Sequence, residues 1–423
     1  MKFRRLLAAL LLALAPMAVV ADPPASSQTR FDAAARVADL NWLVDQIDAR
    51  YAYLPDDHID LARLRALYRP QAEAATTRGA WTHVVEQVIG ELHDPHATLG
   101  VNTPSSPNLV PTGADLWARM RPGSAVLTEV RPFSPASAAG LRAGDVVLSI
   151  AGIPVAKAVA SAMPKALTGP DPRAADVTLR TLLAGTHDAP RRIALRDASG
   201  QVRTVALAPY DTPDSAAPVT WRRLDAVTGY IRIENSLGDT ATVAAFDKAL
   251  EDLRGARALI LDLRDTPSGG DSDVAEPIIG RFIARPAAYQ RVFDPAPGKR
   301  FPKDSWLKTV QPRGPFTARA RLVVLVDHWT GSMGEGMAVG FDALHRATIV
   351  GAPMAGLRGG TSEFVLPRTA IPVHLPTERL YHVDGRPRED FVPPVSVDLA
   401  RMTGSDPILA RGRAVLRAAP AAR

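Results

Sequence analysis

The chain has 423 residues, 46% of them hydrophobic, no cysteine, and a formal charge of +6. That length and apolar content give a folded protein of two or three domains, and the absence of cysteine excludes disulfides, thiol nucleophiles and zinc-thiolate sites together. Three of the positive charges are Lys2, Arg4 and Arg5; without them the balance is about +3, and no Lys/Arg run interleaved with aromatics appears, so nucleic acid is not an expected partner.

Those three charges precede an apolar stretch from Leu6 to Val20, with Val19 and Ala21 placed for cleavage before Asp22. Residues 1–21 therefore read as a secretory signal, and the protein is expected in the periplasm or secreted. The apolar run is short for a bilayer span and no later segment reaches that length, so no stable span is expected after cleavage. With no cysteine beside the cleavage point, there is no lipid attachment site there.

A helical unit is expected over 28–105, because Val37, Leu40, Leu43, Val44 and Ile47 recur at spacings of three and four. It ends in Leu92-His93-Asp94-Pro95-His96-Ala97-Thr98-Leu99, where Asp-Pro forces a turn before a short strand. The next unit, 108–209, contains Ser134-Pro135-Ala136-Ser137-Ala138-Ala139-Gly140-Leu141-Arg142-Ala143-Gly144-Asp145-Val146-Val147-Leu148-Ser149-Ile150. Turn chemistry gives a short helix from Ser134 stopped by Gly140, then a strand over Val146 to Ile150. This pattern resembles a PDZ domain, a fold that can pair an extended peptide as an added strand and so tether or gate a substrate.

Pro-rich and polar residues from Pro209 to Pro218 read as a linker. From 219 to 408 strands alternate with helices: strand Gly229 to Ile233, a helix through Phe246 and Leu250, strand Ala258 to Leu263, a helix from about Asp273, and strand Leu322 to Val326. Such alternation implies parallel βαβ units, with any site at the carboxyl ends of the strands. Two glycine-rich turns occupy such ends, Ser268-Gly269-Gly270 and Gly331-Ser332. Ser332 with Glu335 spells a capping box, which needs no chemistry. A serine at a strand-to-helix turn is also placed for nucleophilic attack, since free N–H groups at the helix start suit a developing oxyanion.

Leu261-Asp262-Leu263-Arg264-Asp265-Thr266-Pro267-Ser268-Gly269-Gly270, the Ser332 segment and Gly351-Ala352-Pro353-Met354-Ala355-Gly356 together resemble the C-terminal processing (tail-specific) serine peptidases and the related tricorn core protease. The resemblance covers nearly the whole chain after the signal. It implies a multidomain α/β protein: an N-terminal helical segment, a PDZ-like β-rich domain and a C-terminal α/β peptidase domain of the crotonase-like ββα kind. Many members use a lysine base about 25 residues after the serine. Leu357 stands at that position, and no lysine follows Lys308. Arg358 beside it stays protonated and makes a poor base.

The tricorn-like branch implies another set: Ser332 as nucleophile, His96 as base, and Glu389 to orient the histidine. Asp390 and Glu363 are alternatives for the last role. The backbone N–H groups of Met333 and of Gly269 or Gly270 are the candidates for an oxyanion hole. Asp262 and Arg264 are expected to be structural. His93, Asp94 and His96 could also form a crude metal site, but so short a cluster supplies too few ligands, and no metal or cofactor is expected. The function implied is an exported serine endopeptidase acting on unfolded or extended polypeptide, with self-association left open. The alternative is a non-catalytic binder of the same fold. An α/β-hydrolase esterase fits less well, because Thr330 stands where G-x-S-x-G needs its first glycine.

Overall fold

A computed structural model describes residues 31–212, 215–296, 298–402 and 405–418. The proposed signal, 1–21, lies outside the described residues. Among those described, no helix is long and apolar enough to cross a membrane.

The helical periodicity of the first unit becomes helices Ala33–Arg50, Leu61–Ala74 and Arg78–Gly90, with a short turn of helix at Leu54–Asp57. Asp32, Asp60 and Thr77 each accept a backbone N–H of the first turn, satisfying donors that a helix start leaves open. Leu43, Val44, Ile47, Leu64, Trp81, Val85 and Val88 are buried on the inner faces. This unit does not close its core alone. Leu366, Ile371, Val373 and Leu375, from near the other end of the chain, belong to the same apolar cluster. Asp39 adds a polar lock, accepting the N–H groups of Arg368 (3.0 Å) and Thr369 (2.8 Å) and the Thr369 hydroxyl (2.7 Å).

The middle unit is an antiparallel sheet in the order Leu116–Arg121, Ser124–Val130, Val146–Ile150, Arg191–Arg196, Val202–Leu207, crossed by helix Pro172–Ala184. Ser134 caps the helix Pro135–Ala138 with a reciprocal bond from Ser137, as the turn chemistry requires.

The last unit holds two sheets. The first runs Val395–Ser396, Ala347–Gly351, Arg321–Val326, Ala258–Asp262, Thr228–Ile233, Val219–Arg223, parallel except for its final strand. Strand Ala258–Asp262 is buried at every position and Arg321–Val326 at all but its first, as expected for parallel strands covered on both faces. Helices Ala241–Asp252, Ser272–Gly280 and Met333–Ala343 bury Phe246, Ile278 and Phe341 in the core beside it.

The second sheet is antiparallel and joins Trp306–Val310, Ala287–Phe293, Pro372–Tyr381 and Gly360–Val365. Its outermost member is Thr98–Leu99 from the first unit, with Thr98 opposite His374 and Leu99 opposite Val373. That pairing delivers the Asp94-Pro95-His96 turn to the last unit.

Candidate active site

Two loops at the carboxyl ends of neighbouring parallel strands build one side of the site. Strand Ala258–Asp262 runs out into Leu263 to Gly270, and Arg321–Val326 into Asp327 to Ser332. They are laced together: the Thr266 carbonyl accepts the Gly269 N–H (3.1 Å) and the Gly331 N–H (3.2 Å), and the Leu263 carbonyl accepts the Thr266 and Thr330 hydroxyls (2.7 and 3.1 Å). The middle unit braces the second loop, with Trp329 Nε1 donating to the Ala114 carbonyl at 2.7 Å and Glu129 accepting the His328 N–H at 3.3 Å.

Ser332 stands at the end of this loop with φ 47° and ψ −111°, outside the conformations that a serine adopts freely. It caps the buried helix Met333–Ala343, and its own N–H donates to the Glu335 carboxylate at 2.8 Å. Its hydroxyl points elsewhere. Ser332 Oγ lies 3.0 Å from His96 Nε2, although 236 residues separate the two in sequence.

His96 is held from both sides. Its N–H donates to Asp94 Oδ1 at 3.0 Å, within the turn that the Asp-Pro pair forces. Its ring Nδ1 lies 2.6 Å from the Arg358 carbonyl oxygen. A carbonyl can only accept, so the proton sits on Nδ1 and the Nε2 lone pair faces the serine hydroxyl. Burial, with the Arg388 guanidinium adding to it, pushes the imidazole down to about 4, against the opposing Arg358 carbonyl and Asp94 carboxylate. The ring is therefore neutral at ordinary pH.

Glu389 does not take the place expected for it. The Nδ1 position belongs to the Arg358 carbonyl, while the Glu389 carboxyl lies against Tyr53; burial raises it, and its Oε2 has no hydrogen-bond partner. Neither alternative carboxylate reaches His96 either: Glu363 faces His374 at 3.7 Å, and Asp390 is exposed. The reason is topological. Glu389 follows Arg388, whose guanidinium turns inward to donate to the Leu357 and Gly359 carbonyls, both at 2.9 Å, and so holds the loop that presents the Arg358 oxygen.

Gly269 also departs from expectation. Its N–H is already bonded to Thr266, so it does not aim at the site as a donor. What it contributes is room: at φ +67°, a Cβ there would fall 2.3 Å from Ser332 Cβ and 2.9 Å from both Ser332 Oγ and Met333 N. The Met333 N–H opens its helix and has no partner within it. With Gly269 lacking a side chain, the space between that N–H and the serine oxygen stays open. Gly270, at φ +148°, packs on Leu237 so closely that a Cβ would lie 2.1 Å from the Leu237 carbonyl carbon.

The position where a lysine base would stand is apolar. Leu357 is buried with Val110, Ala114, Trp117 and Trp329. Arg358 turns away from the serine into a polar network that the sequence did not advertise. It forks onto Asp57 at 2.6 and 2.7 Å and donates to Tyr51 Oη at 3.0 Å, and Tyr51 in turn bonds Asp57 (2.7 Å) and Asp94 (2.9 Å). Asp262 and Arg264 form a structural pair beneath the strand ends, Arg264 reaching on to Asp406 at 2.8 Å and Tyr230 bonding Asp262 at 2.7 Å.

Residues 227–395 match peptidase family S41, and residues 126–162 match the PDZ domain. The C-terminal unit is a family S41 peptidase domain. By family, the chain is a serine-type peptidase whose substrates are proteins or peptides. Among solved structures it is similar to a photosystem II D1 C-terminal processing protease, at 19% identity over 86% of this chain and 93% of that one, with a TM-score of 0.55. Mature CPAF gives 16% identity, 86% and 92% coverage and a TM-score of 0.55. A putative peptidase from Parabacteroides merdae gives 13%, 90% and 97%, and 0.52. At such identities these likenesses establish the fold, which this chain shares over nearly its whole described length. A search of curated proteins found no match.

Proposed function

We propose that this chain, with its family S41 domain, is an exported endopeptidase that cleaves unfolded or extended polypeptide through an acyl-enzyme on Ser332, with His96 as its base. The observation that carries the reading is the 3.0 Å contact between Ser332 Oγ and His96 Nε2, made by a histidine whose other nitrogen is committed to a carbonyl. His96 takes the hydroxyl proton as Oγ attacks the scissile carbonyl carbon, then returns it to the leaving amine. Water attacks the ester in the second half, with the same base. The Met333 N–H faces the developing oxyanion, with Gly270 the second candidate donor.

In this scheme the Arg358 carbonyl fixes the tautomer, the task a carboxylate performs in Ser-His-Asp triads. An uncharged orienter supports the imidazolium less than a carboxylate does, so Asp94 is the nearby charge that favours it. The PDZ unit touches the nucleophile loop through Ala114 and Glu129, which supports a gating or presenting role for it. The basic, apolar N-terminus supports export.

The test is a serine-reactive aryl phosphonate, applied to the full chain and located by peptide mass analysis. It is expected to modify Ser332 in the wild type, and Ser332→Ala is expected to lose both the label and hydrolysis of an unfolded protein. Equal hydrolysis by wild type and Ser332→Ala would overturn the reading.

A further inference from the structure

Glu335 does more than cap a helix. Its carboxylate is buried to 1% exposure, and both oxygens are engaged: Oε2 accepts the Ser332 N–H at 2.8 Å and the Leu357 N–H at 3.2 Å, and Oε1 accepts the Gly356 N–H at 2.9 Å. A capping box needs only the first of these bonds. The other two reach a loop 21 and 22 residues further along, the loop that carries the Arg358 carbonyl.

We propose that Glu335 is a positioning residue for catalysis, tying the turn that aims Ser332 to the loop that aims His96. The proposal rests on the reading of Ser332 and His96 given above. The connections close a ring: Ser332 N–H to Glu335, Glu335 to the Leu357 N–H, the adjoining Arg358 carbonyl to His96 Nδ1, and His96 Nε2 back to Ser332 Oγ. Every side of the ring is a hydrogen bond or a stretch of at most four residues, so the carboxylate bears directly on the separation of nucleophile and base, beside the backbone tie of the Ala355 N–H to the Thr330 carbonyl at 3.0 Å. The same bond commits the Ser332 N–H, which leaves the neighbouring Met333 N–H to face the oxyanion. It also holds Ser332 at its φ of +47°, a conformation that needs an external restraint to persist.

Three N–H donors converge on this group, which the ionised carboxylate accepts most strongly; protonation weakens the acceptors and adds an O–H donor among three N–H groups. Burial pushes Glu335 up to about 7, against the lowering pull of Arg388 from the 388–390 turn and of the three backbone N–H groups. The titratable group on the far side of Ser332 is His96, which ionises well below that range. The ring is thus complete above neutrality and loosened below it.

The experiment measures the rate of phosphonate labelling of Ser332 from about pH 5 to pH 9, bracketing the Glu335 transition. Wild type is expected to gain rate through a midpoint near 7. Glu335→Gln, which presents an amide N–H₂ to one of the three donors, is expected to label on the order of 10²-fold more slowly, the cost of a misplacement of about 1 Å, and to lose that midpoint. A role in folding alone would lower stability without removing a step from the pH profile. If wild type labels Ser332 and Glu335→Gln labels at the same rate with the same midpoint, the proposal fails while the catalytic reading stands. A wild-type profile without a step near neutrality sinks it without any variant, even where Glu335→Gln does not fold. Absence of wild-type labelling at Ser332 strikes the catalytic reading instead.

Discussion

The most consequential bond in the site is made by a backbone atom. Because Arg358 contributes its carbonyl, no side-chain type at 358 marks the orienting role, and a search for a carboxylate partner to His96 finds Glu389 only by position. Ser332 stands out as a candidate from its strand-to-helix turn, whereas His96 is a candidate only through the family resemblance, since a histidine beside an Asp-Pro turn reads by itself as a polar loop residue. Their 3.0 Å approach was not legible, since it depends on a pairing across 236 residues. Two outcomes follow. His96→Ala is expected to lower kcat by about 10²–10⁴-fold with KM little changed, the usual worth of a positioned base. Glu389→Gln is expected to leave kcat within about tenfold of wild type, because no direct bond to His96 is lost; steady-state kinetics on an ester substrate separate the two.

The His96 shift also predicts how stability responds to acid. Its folded value is depressed to about 4, below the ordinary 6.5, so the folded state resists protonation. The contribution is fully present above pH 6.5 and is lost as pH falls from there toward 4. The denaturant midpoint is therefore expected to drop across that window in wild type, and less so in His96→Ala. Equal slopes would overturn the assignment of a buried neutral imidazole.

Among elements, the parallel sheet was legible and the antiparallel one was not. Ala258–Asp262 and Arg321–Val326 announce themselves as unbroken apolar runs bounded by glycine turns. Pro372–Tyr381 reads poorly because it carries two prolines and charged residues, and its burial comes from helices 270 or more residues earlier in the chain. The glycine turns read well as places but not as donors: Gly269 matters for the side chain it lacks. Gly269→Ala is expected to abolish labelling of Ser332 while far-ultraviolet dichroism stays near wild type, since its Cβ would crowd Ser332 and Met333 N; a labelled Gly269→Ala protein would contradict this.

On the scale of the whole molecule, unit boundaries in sequence do not coincide with boundaries in packing. The helical first unit and the second sheet share one apolar cluster, pinned by Asp39 to Thr369 and by the Arg358 fork on Asp57. The Arg358 fork is buried, so removing one partner strands a charge: Arg358→Ala is expected to cost about 3–5 kcal/mol in denaturant unfolding and to reduce labelling as well, because the same residue's backbone holds His96. A peptidase fragment spanning 219–408 alone would expose Leu366, Ile371, Val373 and Leu375 and lack the histidine.

The strand pairing of Thr98 with His374 has a consequence in time as well as space. During synthesis His96 leaves the ribosome long before Ser332, and the strand that seats it emerges later still. Until Pro372–Tyr381 has emerged, a partial chain has no strand on which to seat His96, so on the proposed mechanism it holds no working pair. On that mechanism the seating of this late strand is the step that switches the chemistry on.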